Sequence, residues 1–457
     1  MIFSRIVRSR FLVPAGLAAL GALNCAFLIP GEIASVQQQL KGFPDSDVLG
    51  HQARPLILAA LCFLPAITGF LYTLGGTMDR YIARQFAGSF SLCFGALLTI
   101  WFLMDFADKV GDFQDSSHVL QTVVTFYSTR LPAVFLLLMP YSLLLSLLHS
   151  MGKLSSSREI IAMVQAGRSI ARITRPLIIA GLLLSTLAAG LNYHWAPNAE
   201  GRQNEILAEA TGKIVTQATN VIFRNPSDRR LWMIGAFPQD YEKGAPLLDV
   251  EITITREDKA LQSRISTPKA SWDPTNHHWT LQNPVIRTYQ PGQAPTIDAK
   301  SEPLVLDSWP ETPWQLIKPG LSPAFLGIPD LNSWIRENLK NGNFANPSPY
   351  LTHWHYRWAL AFTCLVTVLL ATPLGIHFSR RGPRGGVFVA VILSALMLLI
   401  SNISIALGES GTLRPALAAW LPNLAFTLLG FYLFQQRISN GSFLQRWFKS
   451  PQKVTPT

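Results

Sequence analysis

Hydrophobic positions in this chain cluster on two scales. Runs of about 20 apolar residues, the length that crosses a ~30 Å hydrocarbon core, fall near residues 11–29, 56–75, 86–104, 131–148 and 176–191. From Asn192 to about Tyr350 the chain is polar and holds no run of that length; three more follow, near 358–376, 387–407 and 417–434. The pattern predicts eight membrane helices, with one hydrophilic insertion between the fifth and the sixth. Inside the insertion the scale shortens. Residues 214–223, 231–237, 248–255, 260–266, 279–289 and 304–306 are rich in β-branched and aromatic side chains and are separated by Pro, Gly, Asn and Asp, which reads as strands. Asp249 to Thr255 alternates polar and apolar with period two, as a strand with one wet face does. An all-β sandwich or jelly-roll-like unit of about 100 residues is expected. Phe325, Ile328, Leu331, Trp334, Ile335 and Leu339 then follow helical spacing and lead into the sixth span.

Composition supports a membrane protein over two or three soluble domains of 457 residues. Only 14% of residues are charged, against ~25% in soluble domains. The formal charge of +11 would suit a nucleic-acid partner, but its distribution argues otherwise. With the N-terminus inside, the loops on that side carry 17 basic residues, among them Arg5, Arg8, Arg10, Arg80, Arg84, Lys153, Arg168, Arg172, Arg175 and Arg437. The short loops on the other side carry Lys41, Arg54, Lys109 and Arg414, with Arg130 near a span end, and the insertion from Asn192 to Arg357 is balanced at 16 basic and 17 acidic residues. The excess is an orientation signal. It places the N-terminus in the cytoplasm and the insertion outside, and it leaves no nucleic-acid surface. Ile29, Pro30 and Glu32 make a poor signal-peptidase site after the first apolar run, so an uncleaved helix is expected. Cys25, Cys62, Cys93 and Cys364 all lie in apolar runs and read as small buried hydrophobes, with no disulfide framework.

Residues 152–169, between the fourth and fifth spans, are the most informative short segment. Ser155, Ser156 and Ser157 can cap a helix starting near Arg158, with Glu159 in its first turn favoured by the helix dipole. Ile160, Met163 and Val164 form an apolar stripe, and Gly167 stops the helix. Such a helix lies against the membrane or docks on a partner. Gly152-Lys153-Leu154 is no nucleotide loop, because the upstream glycine is missing and Leu154 stands where a Ser or Thr would hold magnesium. Signatures of hydrolases, zinc peptidases and paired-cysteine sites are missing too. His277-His278 and His353-Trp354-His355 lack the other ligands a metal site needs, and Trp354, Tyr356 and Trp358 suit an interfacial aromatic belt. No metal, cofactor or catalytic residue is expected. Asp105, Asp108, Asp112 and Asp115 recur around Lys109 at the outer end of the third span. They read as a solvated helix end or, with Lys109 and Arg130, as a contact for an anionic ligand. Pro373, Pro415 and Pro422 read as helix kinks.

From about Met78 to Gln436 the chain resembles the LptF/LptG permease family of the lipopolysaccharide export ABC transporter. The resemblance is carried by Asp79-Arg80-Tyr81-Ile82-Ala83-Arg84-Gln85-Phe86, by the segment from Ser157 to Gly167, by Trp195-Ala196-Pro197, by Trp279-Thr280-Leu281, and by the stretch from Leu413 to Asn423. Each is weak alone; their order, with a β insertion between them, makes the match. The Asp-Arg-Tyr-Ile start leans toward the LptG side.

The resemblance implies six core helices and a periplasmic jelly roll in a multi-pass inner-membrane protein without catalysis of its own. Its implied partners are a second LptF/LptG-type permease, a dimeric cytoplasmic LptB-type ATPase, and periplasmic bridge proteins of the LptC/LptA type that receive lipopolysaccharide. Arg158, Glu159, Met163 and Gly167 would then belong to a helix coupling to the ATPase, and Lys109 and Arg130 would contact lipid phosphates. The implied organisation is an N-terminal two-helix extension (1–77), the first half of the permease (78–192) with its coupling helix (157–167), and the β domain (193–320). A connecting helix (321–350), the second half (351–436) and a cytoplasmic tail (437–457) complete it. The extension lies outside the family core, and the acidic residues around Lys109 replace the basic cluster usual there. The rival reading is a membrane-anchored periplasmic sensor or scaffold, for which the tail is short.

Overall fold

The computed structural model describes residues 2–42, 47–114, 118–210, 216–225, 228–238, 245–258, 260–273, 276, 278–291, 293–307, 309–317, 322–341, 347–376 and 384–438. Two long helices open the chain, α1 (Ile2–Gly42) and α2 (Val48–Leu74). They are followed by α3 (Thr77–Gln114), α4 (Val119–Ser156), the seven-residue α5 (Glu159–Gln165), α6 (Ile170–Tyr193) and α7 (Trp195–Ala210). Eight strands come next: β1 (Thr216–Asn225), β2 (Arg230–Pro238), β3 (Leu247–Thr255), β4 (Leu261–Asp273), β5 (His278–Gln282), β6 (Val285–Thr288), β7 (Thr296–Ala299) and β8 (Leu304–Leu306). The chain returns through α8 (Pro313–Ile317) and α9 (Ile328–Asn341) to α10 (Ser348–Gly375), α11 (Arg384–Glu409) and α12 (Pro415–Ile438).

Eight of the described helices are long and apolar enough to cross a membrane, at the eight places the hydropathy predicts. They are longer than the apolar runs because their polar ends continue beyond the bilayer. Their apolar residues divide by environment. In α4 and α10 more than half of the most apolar window is buried in protein, whereas in α2 none of it is. The core therefore centres on α4 and α10. Met139, Leu143, Leu144, Leu147 and Met151 pack there against Leu177, Val368 and Ala371. Each buried aliphatic side chain contributes ~1.5–3 kcal/mol against exposure to water; toward lipid the gain comes from close packing instead. Asn423 of α12 is buried and donates to the Ala359 carbonyl at 2.6 Å, which gives the sequence around Pro422 a second role beyond a kink.

All strand pairs of the β domain are antiparallel, in the order β1-β2-β3-β4-β5-β8. The long β4 pairs with β6 over Ser263–Ser266 and with β5 over Lys269–Asp273, and β7 adds to β6. Trp232, Phe237, Val250, Ile252, Trp279 and Leu281 fill its core, and Leu316 and Ile317 of α8 cover one end. The period-two expectation in β3 holds for Val250 and Ile252, which point inward, and for Glu251, which pairs outward with Arg264 at 3.0 Å. Asp249 sits at φ 50°, and a Cβ at its neighbour Gly235 would lie 2.9 Å from the Asp249 Cβ, so the bend requires glycine opposite.

One expectation is corrected, and two elements are additional. The single strand expected over 279–289 is two, β5 and β6, because Asn283 turns at φ 49° and Pro284 cannot continue the ladder. β7 was not anticipated. The polar stretch after Asn192 opens as a helix, α7, before any strand begins. His277 and Asp115 lie outside the described residues.

Candidate functional site: a pinned helix at the foot of the bundle

α6 runs from α5 toward the β domain, so α5 lies at the opposite end of the bundle. Its construction follows from a few residues. α4 ends at Ser156, and Ser157 donates its hydroxyl to the Lys153 carbonyl at 3.0 Å. Ser156, whose hydroxyl reaches the same carbonyl at 2.9 Å, and Ser157 therefore close α4, and no side chain caps α5, contrary to expectation. Arg158 then turns the chain with φ 62°, a left-handed conformation costing a non-glycine residue ~1–2 kcal/mol. At the far end Ala166 caps the helix and Gly167 follows at φ +83°. The Gly167 N–H donates to Val164 O at 3.0 Å and the Arg168 N–H to Met163 O at 3.1 Å. This is the two-bond Schellman closure, and Gly167 stops the helix as the sequence predicts.

Two contacts tie α5 to the start of α3. The Tyr81 hydroxyl donates to Glu159 Oε2 at 2.7 Å, and Ser157 Oγ lies 2.9 Å from Oε1. Beyond the other end, Arg168 pairs with Asp79 at 3.1 Å. Underneath, Ile160 and Met163 are buried in one cluster with Ile82, Leu154 and Ile173. Val164, expected in that stripe, is exposed instead, as are Arg158, Ala162, Gln165 and Gly167. The result is a short helix with a buried underside, both ends held by α3, and a small exposed outer surface carrying one cation.

Lys109 and Arg130 lie at the other end of α3 and α4. Both cations face the Phe126 ring, with Lys109 Nζ 5.4 Å and the Arg130 guanidinium 5.7 Å from its centroid. Arg130 also stacks over Trp101 at 5.0 Å and is ion-paired with Asp105, which accepts a further hydrogen bond from Tyr127 at 3.1 Å. Asp105 is thus spent on Arg130, leaving Lys109 half-buried above an aromatic surface. The run around Trp354 is structural: His353 bonds Glu409 of α11 at 2.6 Å, and the Trp354 indole donates to Asn332 of α9 at 2.7 Å.

Sequence reasoning missed Tyr81 and Asp79 as partners of α5, although both stand in the first stretch that carries the family resemblance. It also missed Arg357, whose guanidinium donates to Asn192 Oδ1 at 3.3 Å and to the Ala324 carbonyl, while Asn192 donates back to the Arg357 carbonyl at 2.6 Å. An arginine well inside an apolar helix was the available signal.

The family model for the lipopolysaccharide export system permease LptF/LptG matches residues 80–436. The chain belongs to that family. The matched stretch begins at the foot of α3 and leaves α1 and α2 outside. Among curated proteins, the lipopolysaccharide export system permease protein LptF of Escherichia coli strain K12 is 25% identical over 362 residues, covering 78% of this chain and 93% of that protein. The LptF protein of Shigella flexneri is similar to the same extent. The family model covers both permeases, and these relatives carry the LptF name. At the level of the family, this LptF/LptG-type chain is a multi-pass membrane permease of lipopolysaccharide export.

Proposed function

We propose that this chain works as one permease half of an ABC transporter that extracts lipopolysaccharide or a related glycolipid from the inner membrane and passes it to a periplasmic bridge. The observation that carries the reading is the double tie between α5 and α3. A separate ATPase docking on the exposed face of α5, around Arg158, Ala162 and Val164, would move a helix whose Glu159 is bonded to Tyr81 and whose trailing Arg168 is bonded to Asp79. Movement at the foot therefore passes to α3, and α3 carries Lys109 at its other end, where a cation above an aromatic surface suits a lipid phosphate. Arg130, held by Asp105, serves there by keeping the local charge balanced.

In this reading a second permease of the same family completes the cavity, and the β domain, whose interior is apolar, shields acyl chains from water. The basic loops support a cytoplasmic α5 and a periplasmic β domain.

The test combines assembly and export. Co-purification of an ATPase with the wild-type chain, and lost export in a Glu159→Lys variant that still inserts in the membrane, support the proposal. Normal lipopolysaccharide at the cell surface after depletion of this protein sinks it.

A further inference from the structure

The hairpin α1–α2 lies outside the matched family core, yet it is joined to that core by a buried polar network. Two segments connect the membrane core to the β domain: α6 through α7, and α9 into α10. The hairpin contacts both. At α9, the Asp47 carboxylate, 4% exposed, pairs with Arg336 at 3.1 Å and accepts from Asn332 at 2.9 Å, and its backbone N–H donates to Ser333 Oγ at 2.6 Å. At the α6–α7 junction, Tyr193 donates to the Gly50 carbonyl at 2.9 Å and the Trp195 indole donates to Glu32 at 3.4 Å. Between these points Arg54, 3% exposed, pairs with Glu32 at 2.6 Å and bonds Gln39 at 2.8 Å; Gln39 in turn donates to Asp330 of α9 at 3.2 Å.

Burying Glu32, Asp47 and Arg54 at the end of two apolar helices is costly. Two helices that only filled lipid space would need none of them. What such a network supplies is one fixed register between the elements it joins. We propose that the N-terminal hairpin is a brace that holds both connections of the β domain in register with the membrane core, so that lipid leaving the core meets the β domain in one position. This rests on the export reading for its role in transfer, whereas the brace itself does not depend on what is carried.

The experiment uses the full chain with its transport partners in lipid nanodiscs and reads two quantities. The first is hydrogen–deuterium exchange over residues 195–210 and 328–341; the second is ATP-dependent lipid adduct formation by a photo-crosslinker at Phe223. Asp47→Ala removes the carboxylate's pair with Arg336 and its bond from Asn332, keeping the backbone bond to Ser333 and the Gln39–Asp330 bond; it is expected to speed exchange in both segments by about tenfold, with α4 and α10 unchanged, and to reduce adducts severalfold. A Cβ at Gly50 would lie 3.3 Å from the Pro329 Cβ and clash with the Asp47 carboxylate. In the Asp47→Ala background a Gly50→Cys, Pro329→Cys pair therefore has room to close as a disulfide. Oxidation is expected to restore slow exchange and adducts, and reduction to abolish both again, which a defect in folding would not do. Unchanged exchange in Asp47→Ala overturns the brace, and faster exchange with undiminished adducts overturns its role in register. Wild-type protein that forms no lipid adduct refutes the export reading instead, and the exchange result then decides the brace alone.

Discussion

The Tyr81 hydroxyl and the Glu159 carboxylate are joined by a 2.7 Å hydrogen bond across 78 residues of sequence, linking the first turns of α3 to the first turn of α5. A short helix at a membrane surface has few ways to transmit force, since seven residues bury little area. This bond, the Arg168–Asp79 pair and the buried Ile160 and Met163 make α5 and the foot of α3 one body.

Tyr81→Phe keeps the ring and removes the donor. A partly exposed hydrogen bond contributes about 0.5–1.5 kcal/mol, so the variant is expected to insert and assemble normally. Lipid transfer per ATP hydrolysed, measured in proteoliposomes, is expected to fall severalfold. Equal transfer efficiency in Tyr81→Phe and wild type would count against the lever from α5 to α3.

Gly167→Ala tests the end of the same helix differently. A Cβ there meets nothing within 4 Å, so space is not the issue, but φ is +83°. An L-residue in that region costs about 1–2 kcal/mol. The expected result is a modest loss of co-purifying ATPase with the transition temperature of the β domain unaltered. A normal yield of complex would show that the Schellman closure can be replaced.

The membrane helices and the short helix between α4 and α6 were legible in the sequence because hydropathy and a glycine stop act locally. The end of α4 was not: Ser156 and Ser157 satisfy a preceding helix as well as they would cap a following one, and only the left-handed Arg158 decides between them. The network joining Glu32, Arg54, Asp47 and Asp330 was illegible for another reason. Its members are up to 298 residues apart, from Glu32 to Asp330, and ionisable groups near span ends look like ordinary loop charges until a partner is known. Arg130 shows the converse: the residue was legible, while its neutralisation by Asp105 depended on the facing of α3 and α4.

In the β domain, Trp279 is fully buried and its indole donates to the Glu311 carbonyl at 2.7 Å, while the Glu311 carboxylate, 1% exposed, accepts from Arg230 Nε at 2.8 Å. Arg230→Met leaves that carboxylate buried without its cation, which costs about 3–5 kcal/mol. Trp279→Phe fills most of the volume and is expected to cost less. Thermal unfolding monitored by tryptophan fluorescence should order the two variants in that way; a smaller loss in Arg230→Met would show that Glu311 rehydrates.

His194 sits between α6 and α7, with Asn198 donating to its ring at 2.8 Å and Asp330 3.8 Å away. Burial first, then the charges of Arg54, His51 and Arg202, hold its pKa well below the usual histidine value. The folded protein therefore keeps this ring neutral where the unfolded chain, near pH 6.5, already binds a proton. Below about pH 6.5 the unfolded state holds more protons at this site, so this contribution to stability falls as the pH drops through that value toward the lowered folded one. His194→Gln removes the titration and keeps an acceptor for Asn198. Transition temperatures measured at pH 7.5 and 5.5 are expected to differ less in His194→Gln than in wild type; an equal or larger difference would show that His194 does not set the pH dependence.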